Sequence, residues 1–180
     1  GLCATGMGGV CLDGVPVRPG KRFQAWVTIT HGCDNFCSYC IVPFVRGREE
    51  SRPVEEVVRE VASHVSRGAR EIDLLGQNVN SYRRKDEGKS AVAPLLRRLG
   101  TDFGDVWIRF TTSHPRDFDF AIMRAIADLP GVCEHVHLPL QAGSDRVLEN
   151  MNRGYTSLEY LEIADMLRNV VPGVSLSTDL

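Results

Sequence analysis

Apolar and polar positions change period repeatedly along the chain. "FQAWVTIT" (residues 23–30) is rich in β-branched and aromatic residues and predicts a strand. In "RPVEEVVREVASHVSRGA" (52–69), Val54, Val57, Val58, Val61 and Val65 recur at helical spacing. Pro53 suits the first helical position, Glu55 and Glu56 the first turn, and Gly68 the end. "EIDLLG" (71–76) predicts a second strand, "APLLRRLG" (93–100) a short helix and "VWIRFT" (106–111) a third strand. Residues 117–129 read as a helix buried along Ile122, Ala125, Ile126 and Leu129, and "HVHLPL" (135–140) as a fourth strand. Thr156, with Glu159 three residues on, makes a capping box that opens a helix to about Asn169, and "VSLSTDL" (174–180) supplies a fifth strand.

Strand–helix alternation of this kind predicts an α/β fold with a parallel sheet, either open and doubly wound or curled into a barrel. Both forms place their chemistry at the carboxyl ends of the strands. The loops expected there are "HGCDNFCSYC" (31–40), "GQNVNSY" (76–82), "TSHPRD" (112–117) and "QAGSD" (141–145), all polar or rich in small residues. They are expected to converge on one site. Residues 1–22 are glycine-rich and lack sustained periodicity, so they read as a loose lead-in to a domain over 23–180.

Composition narrows the function classes. The chain has 180 residues, 43% hydrophobic and 24% charged, enough for one ordinary core. Its apolar runs fall far short of the roughly 20 residues that a membrane-spanning helix needs, and its first residues lack the layout of a signal peptide. A cytoplasmic protein with no membrane partner is therefore expected. A net charge of -2 argues against nucleic-acid binding by bulk electrostatics, so any such contact must be local. Arg46, Arg48 and Arg52 form one basic group and Arg83, Arg84 and Lys85 another; the alternative to phosphate contact is a solvated loop balanced by Glu49, Glu50, Asp86 and Glu87.

In a reducing cytosol the six cysteines are expected to hold metal or do chemistry rather than form disulfides. Cys33, Cys37 and Cys40 crowd into eight positions, directly after the first strand. Three thiolates on one short loop can hold three irons of a cubane cluster and leave the fourth iron open to a small molecule. With His31 they also make up four candidate ligands for a structural zinc site, although such sites usually split into two separated pairs. Cys3 and Cys11 read as incidental, and Cys133 as a core residue. His64 is expected at the surface or its boundary. His135 and His137 share one strand face and suit packing, while His114 fits either a site loop or a turn before proline.

The cysteine spacing resembles that of the radical S-adenosylmethionine (SAM) enzymes. "GCDNFCSYCIVPFVRGREESRP", "LLGQNVNSY", "IRFTTSHPRDF", "HLPLQAGSDRVLENMNRGYT" and "STDL", in that order, resemble the methylthiotransferase branch of that superfamily, closest to the tRNA 2-methylthio-isopentenyladenosine synthases. The sibling branches act on threonylcarbamoyladenosine in tRNA or on a ribosomal protein. The resemblance implies a partial (βα)6-type barrel with about five of its parallel strands present. It implies a [4Fe-4S] cluster on Cys33, Cys37 and Cys40, which reductively cleaves SAM for methylthiolation of isopentenyladenosine beside the anticodon of tRNA. Gly76, Gln77 and Asn78 would meet the methionine end of SAM, although Asn78 also suits a plain helix-entry turn. Ser113, Gln141, Ser144 and Asp179 would meet its carboxylate, ribose or adenine. The implied partners are tRNA and an electron donor such as flavodoxin or ferredoxin. The family pattern also has an N-terminal domain carrying a second [4Fe-4S] cluster, a last barrel strand and a C-terminal RNA-binding domain, so the sequence reads as an internal fragment.

Overall fold

The computed structural model describes residues 23–82 and 90–180. The lead-in with Cys3 and Cys11, and the basic group Arg83, Arg84 and Lys85, lie outside the described residues. The strands are β1 (Gln24–Thr28), β2 (Thr30–His31), β3 (Glu50–Ser51), β4 (Glu71–Leu75), β5 (Trp107–Thr111), β6 (His135–His137) and β7 (Ser175–Ser177). The helices are α1 (Val42–Val45), α2 (Val54–Ser66), α3 (Val92–Asp102), α4 (Phe120–Asp128), α5 (Asp145–Asn150) and α6 (Ser157–Val170).

The order β1-β4-β5 forms one parallel sheet, with Gln24 opposite Glu71 and Glu71 opposite Trp107. The strands β6 and β7 pair in parallel, and the Ile108–Val132 bridge joins the two groups through Ile108 N–H to Gly131 O at 2.7 Å and Cys133 N–H to Ile108 O at 2.9 Å. The result is a partial, unclosed parallel core of about five strands, in agreement with the alternation in the sequence. The expected first strand differs in detail. It breaks after Thr28, and Thr30–His31 turn away to pair antiparallel with Glu50–Ser51.

Side-chain period fixes which face of the sheet is buried. Ala25, Val27, Ile72, Leu74, Ile108 and Phe110 face the helices, and the intervening residues face the other way. The expected faces of two helices cover them, Val57 and Val61 of α2 and Ile122, Ala125 and Ile126 of α4, and Leu95, Leu96 and Leu99 of α3 join them. Each fully buried Leu or Ile side chain contributes about 1.5–3 kcal/mol. The opposite face is polar or exposed: Gln24 Nε2 donates to Asp73 Oδ2 at 2.7 Å, Arg109 pairs with Glu71 at 2.9 Å, and Trp26 and Trp107 are open to solvent.

Several helix ends follow local chemistry. Thr156 and Glu159 form the expected capping box, Asp119 accepts from Ile122 N–H at 2.9 Å, and Gly68 takes φ +100° just past the end of α2. Pro53 is the N-cap of α2, one place earlier than expected. His64 departs from expectation: it is buried at 6% exposure. It lies three residues after Val61 on the packed stripe, with Nε2 3.8 Å from Glu60.

Candidate active site

The cysteine loop leaves β2 at Gly32, whose φ of +74° an L side chain resists. A Cβ there would also strike the Arg48 carbonyl and lie 2.7 Å from Gly47 O, so glycine lets the loop turn beneath the segment leading into β3. Cys33 N–H donates to Gly47 O at 3.3 Å, and Cys40 N–H to Cys37 O at 2.9 Å. Cys33 and Cys37 are buried and Cys40 is half-buried; all three are free thiols. Burial pushes the Cys33 thiol up; a hydrogen bond from the Asn35 backbone opposes this, and the charges of Cys37, Glu49 and Cys40 add to it. Metal coordination removes that obstacle, since a coordinating thiol is deprotonated outright.

Hydrogen bonds from distant segments stitch this loop in place. Ser38 Oγ donates to Asn150 O at 2.8 Å, Ser38 N–H to Met151 O at 3.1 Å, and Asn152 Nδ2 to Phe36 O at 2.9 Å. Arg116 donates to Asn35 Oδ1. The second loop joins the same frame, because Val79 N–H donates to Thr112 O at 2.8 Å and Asn78 Nδ2 to Asp117 Oδ2 at 2.6 Å. The cysteine loop, the loop after β4, the loop after β5 and the turn after α5 therefore meet at one end of the sheet.

Among the described residues, that mouth holds buried polar atoms without protein partners. They include Thr30 Oγ1, Gln77 Oε1, Asn78 Oδ1, Ser113 Oγ and both ring nitrogens of His114. Buried donors and acceptors are normally satisfied, and each one left unsatisfied costs about 1–3 kcal/mol. A group of them beside three thiols fits a polar small molecule bound next to a metal cluster. Among the described residues no His, Cys, Asp or Glu side chains gather in threes as ligands of a single ion. A cubane does not require that, because each thiolate binds its own iron at a separate corner.

The remaining expected residues divide. Gly76 is adjacent to the mouth, and the space a side chain would need there is filled by Thr30 Oγ1, so packing against Thr30 also calls for glycine. Gln141, at φ +75°, donates its N–H to Asp179 O at 2.9 Å, and Asp179 Oδ2 lies 3.4 Å from His137 Nε2. Those residues close the next pair of strands. His135 and His137 share Ser177 Oγ, at 3.3 and 3.0 Å. Ser144 is exposed at the N-cap of α5, with no side-chain cap bond. Arg52 turns inward to Glu60 at 2.6 Å and to Thr28 O at 2.8 Å; Arg46 and Arg48 are both exposed, and Arg48 pairs with Asp34 at 3.3 Å.

Two further residues are buried at the mouth: His114, which the sequence left between a site loop and a turn, and Arg153, which it did not single out. His114 is 4% exposed, with its ring edge-on to Tyr155 at 5.6 Å. Burial, then the charge of Arg153, push its pKa down to about 3, against the pull of Asp117. Arg153, in "MNRGYT", is likewise 4% exposed. Its guanidinium donates to Cys37 Sγ at 3.3 Å, Tyr39 Oη at 3.2 Å, Tyr155 Oη at 3.0 Å and Pro139 O at 3.4 Å. The flanking Asn152 (φ +55°) and Gly154 (φ +69°) are a local turn signal, but nothing local announces a buried charge between them.

Comparison with known proteins agrees with this geometry. The tRNA-2-methylthio-N(6)-dimethylallyladenosine synthase of Moorella thermoacetica is 52% identical over 172 residues, covering 96% of this chain and 39% of that protein. The synthase of the same name from Syntrophus aciditrophicus is 51% identical over 159 residues, covering 88% and 34%. The chain thus spans well under half the length of these relatives. Among solved structures, the radical S-adenosylmethionine methyltransferase TsrM from Kitasatospora setae, with tryptophan and a SAM analogue bound, superposes with a TM-score of 0.68 at 17% identity, over 87% of this chain and 30% of that one. The cobalamin-dependent S-adenosylmethionine radical enzyme OxsB gives 0.68 at 11% identity, over 87% and 23%, so both are likenesses of fold. Residues 27–180 match the radical SAM superfamily, a span that takes in the three cysteines and every loop at the mouth, and the chain belongs to that superfamily, related within it to the tRNA methylthiotransferases.

Proposed function

We propose that the chain is the radical SAM core of a tRNA methylthiotransferase, acting on isopentenyladenosine beside the anticodon. The observation that carries the reading is the pairing of three free thiols on one stitched loop with orphaned polar atoms of Gln77, Asn78, Ser113 and His114 at the same mouth. Cys33, Cys37 and Cys40 would hold a [4Fe-4S] cluster. When bound and reduced, it supplies the electron that cleaves SAM to methionine and a 5'-deoxyadenosyl radical. The choice of substrate is supported by the relatives at 51–52% identity.

The protein's own residues do the holding. Gln77 Oε1 and Asn78 Oδ1 offer acceptors to the methionine amino group, and Asn78 is fixed through Asp117. Ser113 offers a hydroxyl for the carboxylate or ribose, and Gln141 and Asp179 stand at the next strand ends. Arg46 provides a local phosphate contact for tRNA. The remaining partners of this reading are a flavodoxin- or ferredoxin-like electron donor and a second [4Fe-4S] cluster elsewhere in the full-length protein, which works in the cytoplasm. Among the described residues no helix is long and apolar enough to cross a membrane.

The test has two stages. After anaerobic reconstitution, Gln77→Ala is expected to weaken SAM binding about tenfold, the value of one charge-assisted hydrogen bond, at unchanged iron content. Unaltered SAM affinity would reduce the loop after β4 to a structural turn, and zinc in place of iron and sulfide would end the radical SAM reading. Mass spectrometry of tRNA from cells lacking the full-length protein should then show loss of the methylthio group from isopentenyladenosine. Loss from threonylcarbamoyladenosine, or from a ribosomal protein, would reassign the substrate.

A further inference from the structure

Arg153 carries a full charge at 4% exposure, and among the described residues no carboxylate pairs with it. Its partners are two phenols, one carbonyl and the sulfur of Cys37, and its Cζ lies 5.3 Å from the Tyr155 ring centre. An uncompensated buried cation is strongly unfavourable, so the arrangement calls for an anion. Within hydrogen-bond reach, the group that becomes anionic on binding metal is Cys37. A guanidinium keeps its proton in proteins, so the side chain stays charged beside that sulfur.

We propose that Arg153 is a positioning residue that sets the reduction potential of the cluster by donating an N–H···S hydrogen bond to the Cys37 thiolate. The inference rests on the reading that Cys33, Cys37 and Cys40 hold a [4Fe-4S] cluster. Hydrogen bonds and positive charge at a coordinating sulfur draw electron density from iron, and so favour the more negative, reduced state. The step is a one-electron reduction from the 2+ to the 1+ core by a low-potential one-electron donor. No bond forms or breaks, and no proton moves, because the guanidinium keeps all its hydrogens.

The geometry also shows how the contact is held. Tyr39 belongs to the cysteine loop and Tyr155 follows Arg153 by two residues; both phenols meet the guanidinium, while Pro139 O takes Nη2. Tyr155 Oη itself donates to Leu140 O at 2.8 Å. The fork is thus fixed from both sides, and a flexible ammonium at this position would not reproduce it.

The experiment uses the reconstituted chain without SAM. With 15N-guanidinium arginine, pulsed EPR of the reduced cluster should show a nitrogen hyperfine coupling that disappears in Arg153→Lys. In Arg153→Met, the ratio of reduced to oxidised cluster at a fixed potential should fall about tenfold, equivalent to about 59 mV for a one-electron couple. Arg153→Lys should fall between the two, and iron content should stay at the wild-type level. A merely structural role would lower cluster content and leave the potential of the loaded fraction unmoved, which would overturn the proposal. Absence of the nitrogen coupling in the wild-type chain would overturn it as well, even if the variants fail to fold. A chain that takes up no cluster would refute the parent reading instead, since neither signal could then be recorded.

Discussion

Acidification of the cluster-free chain should destabilise it in a way that traces to one side chain. His114 is buried beside Arg153 and Arg116, and its pKa drops from 6.5 to about 3. Between those two values the unfolded chain binds a proton at this imidazole that the folded chain refuses. Stability is therefore complete above about pH 6.5 and falls as pH drops toward 3. Between pH 7 and pH 5 the linked loss is about 2 kcal/mol, at 1.36 kcal/mol per unit of differential titration. His114→Phe removes the titration and keeps a flat ring against Tyr155. Urea unfolding of both proteins, followed by circular dichroism at pH 7, 6 and 5, isolates the effect, because every other titrating group is common to the two chains. The wild type should lose about 2 kcal/mol more than His114→Phe over that interval. Parallel stability profiles would refute the reasoning: the imidazole would then titrate no differently in the folded and unfolded chains.

The three clustered cysteines should act as a unit. Cys33→Ala, Cys37→Ala and Cys40→Ala are each expected to abolish cluster assembly, measured as iron and sulfide per chain, whereas Cys133→Ala keeps it; normal iron in any of the three would remove that residue from the set. Gly32 and Gly47 separate two kinds of strain, since both have positive φ but only Gly32 lacks room for a Cβ. Gly32→Ala should cost about 3 kcal/mol in urea unfolding and Gly47→Ala about 1 kcal/mol, and equal costs would contradict the packing of the cysteine loop under the Arg48 carbonyl.

What the sequence determined by itself is what short-range periodicity can carry. The valine stripe of α2, the capping box of α6 and the five main strands are legible because helix and strand periods, and cap bonds, act within a few residues. The spacing of Cys33, Cys37 and Cys40 is local for the same reason, and it pointed to the candidate site before any contact was known. The tertiary structure alone decided the rest. The β2–β3 pair splits the first predicted strand because Thr30 and His31 find partners 19 to 21 residues away. The short helix α5 occupies a stretch too brief for a period to stand out. His64 is buried because its stripe meets the sheet, and Gly76 is small because Thr30 fills its space. Cys37 and Arg153 lie 116 positions apart in the chain, and Asn78 and Asp117 are 39 apart. Burial of a charged or polar side chain is stabilised by whichever distant groups surround it, and no pattern within a single element encodes those partners.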